Sequence, residues 1–326
     1  MTTNVSLIAG GAGFIGVNII ERLLVEDRKI VVIDNMSRGR SDYVSAVPGY
    51  SEARVHVIAG DCTDPVEVDS AFEFAQSLGA ITEVWHLAAN SDIPAGVTDA
   101  RVDLKDTFMT SFQLIESMKR FGVKTLHFAS SSAIYGDLGD TILNESTGPL
   151  LPISNYGAMK LASEALISAA AEISLGTVNI FRFPNVVGIP ATHGVILDFI
   201  HKLAATPDTL QVLGNGTQQK AYLHVSDLVS AMLTIRARNN AHKVEVINIG
   251  PIDDGVTVKW IAEQVVARVS PSANVAYGTG AKGWVGDVPK FRYSTAKLQA
   301  YGWRPTLDSV GAIQRAIAEI ATQLDR

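Results

Sequence analysis

Short apolar runs recur through the N-terminal half of the chain, at 5–9, 29–33, 54–58, 83–88, 123–129 and 177–183. Each is continuous rather than alternating and rich in β-branched or aromatic residues, the pattern of strands buried on both faces. Between them the apolar positions take a helical period near 13–25, 64–78, 101–121 and 154–174. Asp64 followed by Pro65 reads as an N-cap and a first helical residue. This alternation predicts an α/β fold built on a doubly wound parallel sheet with right-handed crossovers. The run VEVINIG at 244–250 predicts a further strand. Past about residue 184 the rhythm changes. Helices are predicted near 192–205, 225–238, 256–269 and 308–324, separated by longer connections that contain Gly and Asn. The domain reading is 1–184, with 217–250 returning to it, and a smaller C-terminal α/β lobe, mainly 185–326, for substrate. No repeat of solenoid or propeller period interrupts this pattern.

Composition narrows the picture. The chain has 326 residues, 47% hydrophobic and 18% charged, with 27 Gly and 12 Pro. That is an ordinary globular mix, which excludes wholesale disorder and low-complexity architectures. Acids outnumber bases 33 to 27, for a net charge of −6, and no long basic block invites nucleic acid. The single cysteine, Cys62, cannot form an intramolecular disulfide or a cysteine-cluster zinc site. A reducing, cytoplasmic compartment is the expectation. The seven histidines lack ligand spacing, so no built-in metal is expected. Residues 1–20 carry no charged side chain, but a basic n-region is absent and four glycines interrupt the apolar run. Neither a signal peptide nor a membrane span is therefore expected.

The first strand runs into GGAGFIG at 10–16 and then into a helical pattern. Gly10, Gly13 and Gly16 suit a tight turn, a close approach of backbone to a pyrophosphate, and close helix–strand packing. The free N–H groups at the start of the helix attract the phosphates. Asp34 ends the second strand, where a carboxylate can accept both ribose hydroxyls of adenosine and repel a 2′-phosphate. That favours NAD. Arg38 and Arg40 follow, and an arginine there can accept a 2′-phosphate, so the residues alone leave NADP open.

Residues 156–160 read YGAMK, which places Tyr156 and Lys160 one helical turn apart on one face. A free tyrosine, with a pKa of ~10, is too weak a base at neutral pH. A neighbouring ammonium favours the phenolate, and the pair then suits abstraction of a proton from a sugar hydroxyl. Tyr293 and Lys297 have the same spacing, but only the first pair follows a strand that ends in three serines, at 130–132. Ser131 stands at that strand's C-terminal end, where open α/β sheets bind ligands. For Tyr293 the plain reading is structural, with Ser294 capping a short helix.

Together these motifs resemble the extended short-chain dehydrogenase/reductase family, and within it the nucleoside-diphosphate-sugar epimerases of the UDP-glucose 4-epimerase type. The matching stretches include GGAGFIG (10–16), VVIDNMSRG (31–39), HLAAN (86–90), SSSAIYG (130–136), YGAMK (156–160), FRFPNVVG (181–188), LGNGTQQKAYLHVSD (213–227) and GDVPKF (286–291). The resemblance implies a Rossmann domain and an NAD cofactor. Gly10, Gly13, Phe14, Ile15, Asp34, Asn35, Ser37 and Arg38 would hold its adenosine diphosphate half. Asp61 and Cys62 would lie near adenine, and Leu87, Ala88 and Ala89 would line the cofactor path. Ser131, Tyr156 and Lys160 would be the catalytic set, with Tyr156 and Lys160 also meeting the cofactor and Phe183 bordering the nicotinamide. Ser131, Asn185, Lys220 and Asp287 would meet a nucleotide-sugar substrate, a UDP-sugar.

The sequence also departs from the family. Ala9 stands where threonine is usual. Ser132 and Ala133 stand where 4,6-dehydratases carry Asp-Glu, which disfavours dehydration. Lys220 and Gly283-Trp284 stand where diphosphate-clamping arginines are common. The implied activity is NAD-dependent epimerisation of UDP-glucose and UDP-galactose through a transient 4-keto sugar. A ketoreductase or decarboxylase on the same fold, or a non-catalytic dinucleotide binder, is the alternative. A homodimer through the 101–121 and 154–174 helices is implied too, although the apolar faces of those helices suit sheet packing equally well.

Overall fold

The computed structural model describes residues 3–238, 242–280 and 292–324. Its contacts divide the chain into two compact units, one of 1–134, 155–182 and 232–247, the other of 135–154, 183–231 and 248–326.

The first unit is built on a seven-stranded sheet. Five of the strands are β1 (Asn4–Ala9), β2 (Arg28–Asp34), β3 (Val55–Ala59), β4 (Ala80–His86) and β5 (Thr125–Ala129). Thr177–Arg182 lies beside β5, and Val244–Asn248 closes that edge. The order is 244–248, 177–182, β5, β4, β1, β2, β3, and the six strands from 177–182 to β3 run parallel. β1 has β2 on one side and β4 on the other. The chain therefore reverses its winding direction there, and a crevice opens at the strands' C-terminal ends.

Side chains alternate across this sheet, as strand geometry requires. Val5, Leu7 and Ala9 face a core that includes Phe72, Leu114, Met118 and Ile167. Ser6 faces the other way, onto a buried polar network. Glu83 of β4 accepts from Ser6 at 2.7 Å and ion-pairs with Arg28 and Arg236, and His127 of β5 lies 3.2 Å from it.

The helices follow the predicted pattern with one change. Pro65–Leu78 begins as expected, the Asp64 carboxylate accepting from the N–H groups of Val66 and Glu67. The predicted 101–121 helix is three pieces: Ala100–Asp103, a wider π-helical turn at Leu104–Met109, and Thr110–Phe121. Gly122, at φ +70°, ends the last piece as a left-handed cap. Such π turns insert a residue into the helical register and turn a side chain off its regular stripe.

In the second unit, helices Val195–Ala205, Val258–Val269 and Ser309–Leu324 enclose a core that includes Leu203, Leu210, Ile261, Val265, Ile313 and Ile317. Small ladders complete it. Thr209–Val212 pairs with Asn274–Tyr277 in parallel, as does Asn185–Val187 with Tyr222–His224. No helix among the described residues is long and apolar enough to cross a membrane.

Candidate active site

The turn after β1 shows why glycine stands at each of three positions. Gly10 has φ +76°, and a Cβ there would lie 2.6 Å from the Ala88 backbone nitrogen. A Cβ on Gly16 would lie 2.5 Å from the Gly11 Cα. Gly13 is different: a Cβ there would meet only the Gly10 carbonyl oxygen, at 3.5 Å. Gly13 also caps the helix Phe14–Leu23 without a side-chain hydrogen bond, and no acidic residue occupies the first turn. The positive end of that helix is thus uncompensated and sterically open, as a pyrophosphate requires.

Asp34 sits beside this turn. Its carboxylate accepts from the Ala12 N–H at 3.0 Å and the Met36 N–H at 2.9 Å. Burial nevertheless raises its pKa, against the pull of those two donors. Asn35 accepts from the Ser37 N–H, which fixes the next turn. Arg38 pairs with Asp92 at 3.1 Å and Arg40 with Asp42 at 2.7 Å, both pairs exposed. At the end of β3, Asp61 pairs with Lys105 at 3.0 Å. Cys62 is buried, and burial pushes its thiol pKa up, with the charge of Asp34 adding to the effect. Ala88 and Leu87 both donate to the Ala9 carbonyl, so the segment 87–89 passes close over the glycine turn. An open helix terminus, an inward carboxylate and a close backbone wall fit a dinucleotide.

The tyrosine–lysine pair lies on Asn155–Ile173, and Ser131 follows β5. The Ser131 side chain, whose Oγ accepts from the Ala133 N–H at 3.1 Å, favours the ionised form of Tyr156. Burial still pushes the Tyr156 phenol up to about 12, and the Asp103 carboxyl adds to the rise. Lys160 is 1% exposed and donates to the Ala129 carbonyl at 2.6 Å. Its ammonium lies 5.8 Å from the Tyr156 ring centroid and 4.8 Å from that of Phe128. Burial brings its pKa down to about 7, against the pull of Glu164 and Asp103.

Two supports of this pair were not singled out by the sequence reading. Glu164, one turn beyond Lys160, accepts from Ser130 and from Arg182 at the end of 177–182. Asp103 is fully buried, its Oδ1 accepting from Asn90 Nδ2 at 2.9 Å and Thr107 Oγ1 at 3.3 Å. A signal for it existed. Asp103, Thr107, Thr110, Ser111 and Leu114 recur at helical spacing on a buried stripe, where an unpaired carboxylate is out of place.

The remaining sequence-selected residues lie in the second unit. Phe183 is half-buried, and Asn185 is exposed at the start of its short strand. Lys220 is half-buried and pairs with Val256 in an antiparallel ladder. Asp287 falls outside the described residues. Tyr293 packs edge-on against Tyr135, and Ser294 Oγ accepts from the Ala296 N–H at the start of the helix Ala296–Ala300. Among the described residues no group of three or more His, Cys, Asp or Glu side chains could hold a metal ion.

The glycine turn, Asp34 and the Ser131–Tyr156–Lys160 set coincide with a family model, NAD dependent epimerase/dehydratase family, that matches residues 6–250. The chain belongs to that family. It is therefore an enzyme of an NAD-dependent class, and NAD is its cofactor. A UDP-glucose 4-epimerase of Corynebacterium glutamicum is 30% identical over 79% of this chain and 78% of its own. A solved UDP-galactose 4-epimerase superposes with a TM-score of 0.84 at 31% identity, covering 98% of this chain and 99% of that one. The Thermus thermophilus UDP-glucose 4-epimerase in complex with NAD superposes at 0.83 with 27% identity, covering 97% and 99%.

Proposed function

We propose that this enzyme inverts C4 of a UDP-hexose, interconverting UDP-glucose and UDP-galactose through a transient 4-keto sugar. The observation that carries the reading is the placement of Tyr156 one helical turn from the buried Lys160, whose ammonium lies 5.8 Å from the Tyr156 ring centroid. NAD, when bound, would supply the hydride-transfer chemistry at C4.

The chain's own residues handle the proton. Tyr156 takes it from the C4 hydroxyl as the base and gives it back as the acid. Ser131 donates a hydrogen bond to the same oxygen and steadies the carbonyl that forms. Lys160, held in place by the Ala129 carbonyl, contributes a positive charge that favours the phenolate. Because burial leaves the resting phenol at about 12, this assistance is needed at neutral pH.

Gly10, Gly13, Phe14 and Ile15 would take the pyrophosphate, and Asp34, Asn35, Ser37 and Arg38 the adenosine ribose. Asp61 and Cys62 would border adenine. Leu87, Ala88, Ala89 and Phe183 would line the path to the nicotinamide. Asn185, Lys220 and Asp287 would meet the sugar diphosphate. A homodimer through the 101–121 and 154–174 segments belongs to the same reading, supported by the exposed Leu104 and Phe112 side chains. Light scattering tests it, and a monomer at micromolar concentration would exclude it.

Purified protein, incubated with UDP-galactose and no added cofactor, should yield UDP-glucose by proton NMR. Stoichiometric oxidation of added NADH would make the enzyme a ketoreductase. Release of carbon dioxide from a UDP-uronic acid would make it a decarboxylase. Bound NAD without turnover of any nucleotide sugar would make it a binding protein.

A further inference from the structure

The carboxyl of Asp103 is the feature that the reaction scheme leaves unused. It is fully buried, and Asn90 and Thr107 both donate to one of its oxygens, Oδ1. The other, Oδ2, is buried with no hydrogen-bond partner. It points at Gly96, where a Cβ would lie 1.8 Å away. The site thus admits this carboxyl only because residue 96 is glycine. A buried carboxylate with one bare oxygen costs free energy unless a nearby charge repays it.

The groups that face it come from four elements. Asn90 lies after β4, Gly96 on the helix Ile93–Thr98, and Asp106 and Thr107 on the π turn. Asn155, at the head of the helix Asn155–Ile173 that carries Tyr156 and Lys160, donates to the Gly96 carbonyl at 2.8 Å, which brings that helix to the Asp103 site. The Asp103 charge acts on both Tyr156 and Lys160. Lys160 is a cation that acts on Asp103. Arg101, nearby in sequence, is exposed and engaged by Asp99. Glu164, the other anion near Lys160, already serves Arg182 and Ser130. His86, which also senses Lys160, is buried and held neutral by burial and by that cation. Asp103 is therefore the uncommitted negative charge of the pair.

We propose that Asp103 is a positioning residue for the Tyr156–Lys160 pair: its buried carboxyl keeps the ammonium on Lys160 and the proton on Tyr156 in the resting enzyme. A nearby anion stabilises a cation and opposes a second anion, so one carboxyl sets both partners in the same direction. The role rests on the tyrosine–lysine reading above. Asp103 does not touch substrate; it acts through the pair. Asn90 and Thr107 hold it, so the segment after β4 and the π turn are part of the same device.

The test reads Lys160 directly. In protein labelled with [ε-13C]lysine, one resonance should titrate near 7, far below the other lysines, and vanish in Lys160→Met. In Asp103→Asn, of wild-type melting temperature, that midpoint should fall by about one unit, the lower end of what losing a nearby opposite charge does. Asp103→Glu, which keeps the charge, should restore it. An unmoved midpoint in Asp103→Asn overturns the proposal.

Should Asp103→Asn not fold, [γ-13C]aspartate labelling of wild type and Lys160→Met replaces it. One aspartate titrating above the usual range should move higher still when the lysine is removed. No change in any aspartate overturns the proposal. The parent reading fails separately, if Tyr156→Phe keeps its epimerase rate. Loss of that rate with an unmoved lysine midpoint leaves the reading intact and removes Asp103 from it.

Discussion

Arg182 grips Glu164 through two hydrogen bonds, Nε at 3.0 Å and Nη2 at 2.6 Å, with both side chains about 7% exposed. The pair joins the end of the strand 177–182 to the helix that carries Tyr156 and Lys160. Glu164 also accepts from Ser130, the residue before Ser131. One carboxylate thus ties the base helix to the strand end that bears its hydroxyl partner. Removing one member of a buried pair strands the other charge, at a cost of about 3–5 kcal/mol. Arg182→Met should lose stability of that order in urea titration at pH 7. The double variant Arg182→Met/Glu164→Leu should recover part of it. Equal stability of Arg182→Met and wild type would show that the pair does not anchor the helix.

The polar network around Glu83 makes stability depend on acid. Burial works to raise this carboxyl's pKa, but His127 and the Arg236 guanidinium prevail and hold it well below the usual carboxylate range. A depressed carboxylate contributes stability that is complete above its unfolded pKa of about 4.3 and is lost as pH falls below it. Wild type should therefore weaken steeply below about pH 4. Glu83→Gln should be less stable at pH 7 by about 3 kcal/mol, because Arg28 and Arg236 lose their buried carboxylate and are left with the half-buried Glu26, and its acid arm should be flatter. Denaturant midpoints measured from pH 3 to pH 7 check both statements.

Gly10 and Gly13 should fail in different ways. Alanine at Gly10 meets both a left-handed backbone angle and the Ala88 nitrogen, so melting temperature and NAD binding should fall together. Alanine at Gly13 meets only the Gly10 carbonyl oxygen, at an ordinary 3.5 Å, so the fold should persist. Its methyl group would instead stand over the helix terminus and weaken NAD binding about tenfold, ~1.4 kcal/mol. Thermal melting and cofactor titration of the two variants separate these outcomes.

The sheet was legible because parallel strands buried on both faces read as unbroken apolar runs, and the cofactor turn because its glycines carry distinct steric duties. Tyr156 and Lys160 were legible because helical spacing alone puts them on one face. Asp103 was legible only in part: its helical spacing with Thr107, Thr110 and Ser111 is a sequence signal, but the bare Oδ2 and its approach to Gly96 exist only once the chain folds. The π turn at Leu104–Met109 was hidden for a related reason: one extra residue in the register leaves Asp103, Thr107, Thr110 and Ser111 at spacings that still read as helical. The grouping of 135–154 with the second unit depends on pairings such as Tyr135 with Asn248, which local periodicity does not encode.

The Tyr156 phenol is the proposed base of the reaction. Tyr156→Phe should fold and retain NAD, yet convert UDP-galactose to UDP-glucose about 10²-fold more slowly or worse, the usual loss with a general base. Measured by NMR at equal NAD occupancy, a rate near that of wild type would contradict that role.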